Sequence, residues 1–277
     1  VSSAQEDRMT ATRTEPLKAY WQPGCSSCLR MKEFLQRHGV AFESINVLSD
    51  RDAFADLAQL GIRSVPIIRR GEDWANGQVL RDVARIAGID WGGSRILSPE
   101  ELKARLDVFQ SAARRFLRQL PDAKLPALLP NRPRSYASLA YHIFSIADAF
   151  LDHEQNGTRL DENAYNRVPR PGEDSKLALL AYGEAVAKRL DGWWAARGLK
   201  TDWNRRADVY YGEQSVHEFF ERTTWHCGQH VRQFMMVLDQ LGIAPQDRVG
   251  PEAFSGLPMP EKVWDDEPGA HAEAKPE

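Results

Sequence analysis

The chain has 277 residues, 42% of them hydrophobic and 27% charged, with a formal charge of −3. That is enough for two ordinary domains with a normal core and the composition of a soluble globular protein. No Lys/Arg run is available to neutralise phosphates, which argues against nucleic acid or an anionic membrane surface as a partner. The longest apolar run, residues 177–182, is too short to span a bilayer, and residues 1–14 lack the apolar stretch of a secretory signal. Two of the three cysteines are spaced as Cys25-x-x-Cys28. That usage suits a reducing compartment better than a disulfide framework, so a cytoplasmic location is expected.

Residues 1–14 and 265–277 read as disordered tails. Between them the first pattern covers residues 15–90. A strand at 17–21 leads through Gln22-Pro23-Gly24 into Cys25-Ser26-Ser27-Cys28, and Leu29, Met31, Phe34 and Leu35 then give helical spacing up to Gly39. Residues 42–47 alternate as a strand, 50–60 are helical, and Val65-Pro66 precedes a strand at 67–69. Residues 70–73 turn a hairpin, and 78–87 are helical again. The order is βαβ, then a β-hairpin and a helix.

Placing Cys25 at a helix N-terminus exposes it to the dipole and the free N–H groups, which stabilise a thiolate. Cys25 is the expected nucleophile toward a disulfide, and Cys28, one turn on, the resolving thiol. The competing reading, half of a zinc site, lacks a second cysteine pair, since Cys227 stands in a different region. On these residues the stretch 18–89 resembles a glutaredoxin of the thioredoxin superfamily. The resemblance covers about a quarter of the chain and implies dithiol–disulfide exchange. It also implies a cis bond at Pro66, with Val65 and Pro66 offering backbone contacts to a thiol substrate.

A glycine pair at Gly92-Gly93 ends that pattern, and Ser98-Pro99-Glu100-Glu101 opens a second domain, expected over 98–264. Its first helix runs to about Leu120, and the Pro-rich stretch 121–133 is a loop. Residues 135–153 form a helix whose apolar stripe includes His142. Residues 156–172 are a long loop able to roof a pocket, and 174–198 form a third helix. The fourth, residues 215–242, begins with the capping box Ser215/Glu218 and stops at Gly242. Val216, Phe219, Phe220, Thr223, Cys227, Val231, Phe234, Met235, Leu238 and Leu241 form its stripe, and Glu218, Glu221, Arg222, Gln229, Arg232 and Asp239 fall elsewhere. Four such helices imply a four-helix bundle.

His226 and His230 lie one turn apart on or beside that inward stripe, where two imidazoles can share one ion. His142 is the candidate third ligand, since bundle helices pack about 8–10 Å apart, a span that facing imidazoles bridge. His153 is too far along its helix to join them, and His217 points to the opposite face. Acidic partners orienting the rings are expected, though no residue is singled out.

Residues 99–264 resemble the DinB-like four-helix family. The likeness is carried by Leu139-Ala-Tyr-His142, His226-x-x-x-His230-Val-Arg-Gln233, and Gly256-Leu-Pro-Met-Pro-Glu-Lys-Val-Trp264. It implies a divalent metal, zinc or nickel, on His142, His226 and His230. It also implies thiol-dependent transfer or isomerisation, in which a low-molecular-weight thiol such as glutathione is cosubstrate to an electrophile. The expected fold is thus an α/β thioredoxin-like domain followed by an all-α, DinB-like four-helix bundle. The expected function is a dithiol–disulfide oxidoreductase module fused to a metal-dependent thiol transferase or isomerase. The rival is a glutaredoxin-type oxidoreductase whose bundle binds metal or a partner without catalysis. Bundles with exposed apolar edges often dimerise, so a homodimer is a further expectation.

Overall fold

A computed structural model describes residues 15–50, 52–265 and 267. The tails expected at 1–14 and beyond 267 lie outside the described residues. The chain divides into two compact units, Val1–Ser94 with Pro260–Glu277, and Arg95–Met259.

The first unit is a four-stranded sheet with helices. Its strands are β1 (Leu17–Trp21), β2 (Glu43–Asn46), β3 (Ile67–Arg70) and β4 (Asp73–Asn76), in spatial order β2-β1-β3-β4. β1 runs parallel to β2 and antiparallel to β3, and β3 and β4 pair Arg70 with Asp73 across the hairpin turn. A parallel pair needs a crossover, which α1 (Ser26–Arg37) supplies; α2 (Ala53–Gln59) and α3 (Leu80–Ala87) complete the unit. Strand alternation splits the core in two. Leu17 and Ala19 pack with Met31, Leu35, Ile68 and Val83, while Tyr20 packs with Val47, Leu57 and Ile67. This is a thioredoxin-like α/β domain.

The sequence-based boundary near the C-terminus is corrected. Residues 260–264 were expected in the bundle and 265 onward in a tail, yet the segment from Pro260 belongs to the first unit. The Glu33 carboxylate accepts from the backbone N–H of Glu261 at 2.6 Å and of Lys262 at 2.9 Å. Lys32 pairs with Asp265 at 2.8 Å and also with Glu267, and its ammonium lies 3.7 Å over the Trp21 ring. Trp264 rests on Gly24, where a Cβ would run into the indole. Polar partners on α1, invisible to a composition argument, hold this strap in place.

The second unit is built on four long helices, α4 (Pro99–Gln119), α5 (Tyr136–Asn156), α7 (Lys176–Arg197) and α8 (Val216–Gln240). The short α6 (Glu162–Tyr165) lies in the loop before α7, and a two-stranded ribbon, β5 (Arg206–Ala207) with β6 (Gln214–Ser215), precedes α8. Ser98/Glu101 and Ser215/Glu218 form full capping boxes, and the Ser135 and Ser175 hydroxyls cap α5 and α7. α8 packs on α4 and α5, and α7 on both of those. Among the described residues no helix is long and apolar enough to cross a membrane.

The amphipathic reading of α8 needs revision. Glu221, Arg222 and Gln229, expected away from the core stripe, are buried with it. The ribbon and the α6 loop return over the face that periodicity alone left to solvent, as the Arg222 guanidinium 4.6 Å from the Tyr211 ring and 4.7 Å from the Tyr165 ring demonstrates.

Candidate functional site

The helices of the second unit bring His142 of α5 together with His226 and His230 of α8. Each ring offers a nitrogen, and these atoms all lie within 4.8 Å of one another. Ring centroids are 4.7 Å apart for His226–His230, 4.9 Å for His142–His230 and 5.6 Å for His142–His226. The three side chains are 3, 2 and 1% exposed in chain order. Trp225 stacks on His226 at 5.4 Å and walls one side.

The donor set fits a metal ion on two grounds. His230 Nδ1 lies 2.7 Å from Gln233 Oε1, so the N–H donates to the amide oxygen and Nε2 keeps its lone pair for the cluster. His142 Nδ1 and His230 Nε2 are both buried with no hydrogen-bond partner among protein groups, an arrangement that is costly unless something binds there. Ligand nitrogens on a tetrahedral ion of about 2.05 Å bond length sit roughly 3.3 Å apart, so the rings need draw in by no more than about 1.5 Å.

Burial pushes the imidazoles of His142, His226 and His230 well below the usual histidine range. The mutual repulsion of the rings and the guanidinium groups of Arg134, Arg132 and Arg222 add to this. At neutral pH the rings are therefore uncharged and ready to coordinate without first releasing a proton. Acidic partners were expected around the rings; among the described residues the amide of Gln233 and the phenol of Tyr165 are groups that touch them.

Tyr165 escaped the sequence reading. It closes α6, which Asp161 caps through the Ala164 N–H at 2.7 Å. Its hydroxyl lies 3.2 Å from His226 Nε2 and 3.3 Å from Nδ1, and its ring centroid is 5.6 Å from that of His142. The only sequence signal was an aromatic residue within a polar loop. Arg167, two residues on, ties that loop to α5 through Asp152 at 3.3 Å and Asp148 at 3.6 Å. A neighbouring cavity of about 470 Å³ is lined by Tyr141, Asp148, Arg167 and Tyr182, among others, but by none of the three histidines.

The other histidines keep apart. His153 donates to Glu154 through Nδ1 at 2.8 Å and accepts the Asp208 N–H at Nε2, and His217 donates to the Leu97 carbonyl at 2.7 Å. His38 bonds the Phe34 carbonyl, and His271 lies outside the described residues. Cys227 is buried, its thiol on the Ile143 carbonyl.

The dithiol is assembled in the first unit. β1 delivers Trp21, the turn through Gly24 at φ +65° reverses the chain, and Cys25 takes the N-cap of α1, its Sγ accepting the Cys28 N–H at 3.2 Å. Cys25 and Cys28 are joined as a disulfide, Cys28 buried beneath a partly exposed Cys25. The Val65–Pro66 peptide is cis, and the Pro66 carbonyl accepts the Gly77 N–H at 2.9 Å just beyond β4.

Residues 17–74 match the model of the Glutaredoxin family. No match was found among curated proteins. The glutaredoxin match spans β1, the Cys25–Cys28 pair, the cis Pro66 and the start of β4, and makes this domain a thiol-redox module of the thioredoxin superfamily. Within the glutaredoxin domain the N-cap placement gives Cys25 the exposure and the helix-end field that a nucleophilic thiolate needs, while Cys28 is shielded from competing thiols.

Proposed function

We propose that the protein couples dithiol–disulfide exchange in its glutaredoxin domain to a metal-dependent, DinB-like thiol transferase or isomerase reaction in its bundle. The observation that carries this reading is the convergence of three uncharged imidazoles from two helices, with cationic rather than acidic groups around them. A divalent ion there, zinc or nickel, would act as a Lewis acid that favours a thiolate over a thiol at neutral pH. His142, His226 and His230 would hold it, and Gln233 would keep the His230 ring in the coordinating tautomer. Arg132, Arg134 and Arg222 favour an anionic cosubstrate, which suits a low-molecular-weight thiol such as glutathione adding to an electrophile.

In the glutaredoxin domain the Cys25 thiolate attacks a disulfide R–S–S–R′, forming the Cys25–S–S–R mixed disulfide and releasing R′–S⁻. Cys28 then attacks the Cys25 sulfur, the Cys25–Cys28 disulfide forms, and R–S⁻ leaves. Two thiols from the reductant pool restore the dithiol. Val65 and Pro66 offer the backbone edge against which an extended thiol substrate would lie. Tethering the two activities raises the local concentration of one for the other to about millimolar. A small-molecule thiol and an electrophile are the proposed partners, and a cytoplasmic setting would keep the dithiol reduced.

Elemental analysis of the purified chain and of His230→Ala tests the site: about one equivalent of metal, lost in the variant, is expected. Turnover of glutathione with a haloarene panel, with and without metal, then tests the reaction. Metal binding with no metal-dependent turnover would favour a bundle that binds without catalysing.

A further inference from the structure

Resting on the dithiol–disulfide exchange reading of the glutaredoxin domain, we infer that the strap from Pro260 restricts that exchange to compact disulfides, with Trp264 as the specificity-determining residue. Sequence likeness assigned the stretch ending at Trp264 to the bundle. In the structure it belongs to the unit that carries the dithiol. The indole lies on Gly24, the residue before Cys25, at a φ of +65° where a side chain would be strained and would also collide with the ring.

The strap is tied down on both sides of the indole. Before it, the Glu33 carboxylate takes the backbone N–H groups of Glu261 and Lys262. After it, Asp265 is buried against Lys32 at 2.8 Å, and the Ser44 hydroxyl donates to Glu267 at 3.1 Å. Lys32 and Glu33 stand on α1, the helix that Cys25 caps, so the dithiol and the anchors of the strap share one rigid element. Swinging the indole aside would break these charge-assisted bonds, and the ring is thereby held at the mouth of the dithiol.

Burial shows the consequence. From Pro23 to Cys28 only Cys25 keeps partial exposure. The Ser26 and Ser27 hydroxyls, which an open helix end would leave to water, are buried without a partner. Exchange requires the Cys25 thiolate to approach a disulfide sulfur in line with the bond that breaks, so the substrate lays its neighbouring groups on the surface around Cys25. A small disulfide has few such groups. A disulfide within a folded protein brings backbone on either side of the bond and meets the indole, which discriminates by exclusion rather than by added attraction. Val65, beside the cis Pro66, keeps partial exposure and remains open to a small thiol.

The test uses the full chain, reduced and freed of reductant, in a single turnover. The dithiol gives up its protons and an electron pair, the Cys25–Cys28 disulfide forms, and the substrate leaves as a pair of thiols. Bis(2-hydroxyethyl) disulfide is the compact substrate and insulin the protein one, each followed by acid quench, alkylation and protein mass. The ratio of the insulin rate to the small-disulfide rate should rise at least about tenfold in Trp264→Ala. Glu33→Gln, which removes one of the two acceptors anchoring the strap, should raise it in the same direction and decides the matter by the same measure should Trp264→Ala fail to fold. An unchanged ratio, or a wild type that already reduces insulin as fast as the small disulfide, overturns the role of Trp264 and leaves dithiol exchange standing. If wild type reduces neither substrate, both readings fall together.

Discussion

His230 gives its Nδ1 proton to Gln233 Oε1, 2.7 Å away, and leaves Nε2 buried with no protein partner. The amide does the orienting that a carboxylate does at many metal sites, without adding charge. Gln233→Leu removes that anchor and lets the ring change tautomer. Metal affinity is expected to fall about tenfold to a hundredfold with secondary structure unchanged, measured by chelator competition and circular dichroism. Equal affinities in variant and wild type would mean that packing alone orients His230.

Gly228 sits on α8 between the two histidines and faces α4. A Cβ there would lie 2.8 Å from the Phe109 ring, which is itself fully buried. Gly228→Ala should cost about 1–3 kcal/mol by overpacking, seen as a lower denaturant midpoint, and Phe109→Leu should recover part of the loss. An unaffected midpoint would contradict this close helix approach.

The metal-free protein should lose stability on mild acidification. Unfolded histidines take up protons near pH 6.5, whereas burial holds His142, His226 and His230 well below that. As the pH falls below about 6.5 the unfolded state therefore binds more protons, and each ring removes up to about 1.4 kcal/mol per pH unit until its folded value is reached; above about pH 7 the effect vanishes. Urea unfolding at pH 7.5 and 5.5 should show a larger drop for wild type than for a His142→Leu variant. Parallel drops would place the acid sensitivity elsewhere.

The cysteines should separate by reactivity. Burial pushes the Cys227 thiol up to about 12, and it is bonded to the Ile143 carbonyl. A thiol reagent applied at pH 8 to the reduced native protein should label Cys25 first and leave Cys227 untouched until unfolding, as peptide mass spectrometry can follow. Rapid native labelling of Cys227 would show that the interface of α8 with α5 opens.

The strap from Pro260 should contribute to the stability of the glutaredoxin domain. Lys32 and Asp265 are 3 and 7% exposed, so Lys32→Ala leaves a buried carboxylate without its cation. A loss of about 3–5 kcal/mol is expected for that domain, with the bundle unaffected. Hydrogen exchange resolved by segment would separate the two, and unchanged protection in β1 and α1 would contradict the assignment.

Much of this architecture was legible along the chain because the relevant physics is local. Alternation marked β2, Ser98/Glu101 and Ser215/Glu218 announced two helix starts, and Gly39, Gly61 and Gly242 marked stops where φ is positive. The Cys25-x-x-Cys28 spacing at a strand-to-helix junction was enough to place the dithiol. Where partners came from far away, local reasoning misplaced residues. Arg222 was assigned to the polar side of its helix, yet the Tyr165 and Tyr211 rings cover it. Asp265 was left in a tail, yet it is buried against Lys32, more than two hundred residues earlier in the chain.

By itself the sequence determined the four long helices, the strands of the first domain, the paired spacing of His226 and His230, and the inward placement of His142 on its own stripe, because each depends on the rotation per residue about one axis. Only the tertiary structure decided that His142 meets the other two, that Gln233 rather than an acid orients a ring, and that Tyr165 hangs over the cluster. Those outcomes depend on how closely α5 and α8 approach and on where a loop returns. Both are set by packing among residues distant in sequence, which periodicity along a single element does not record.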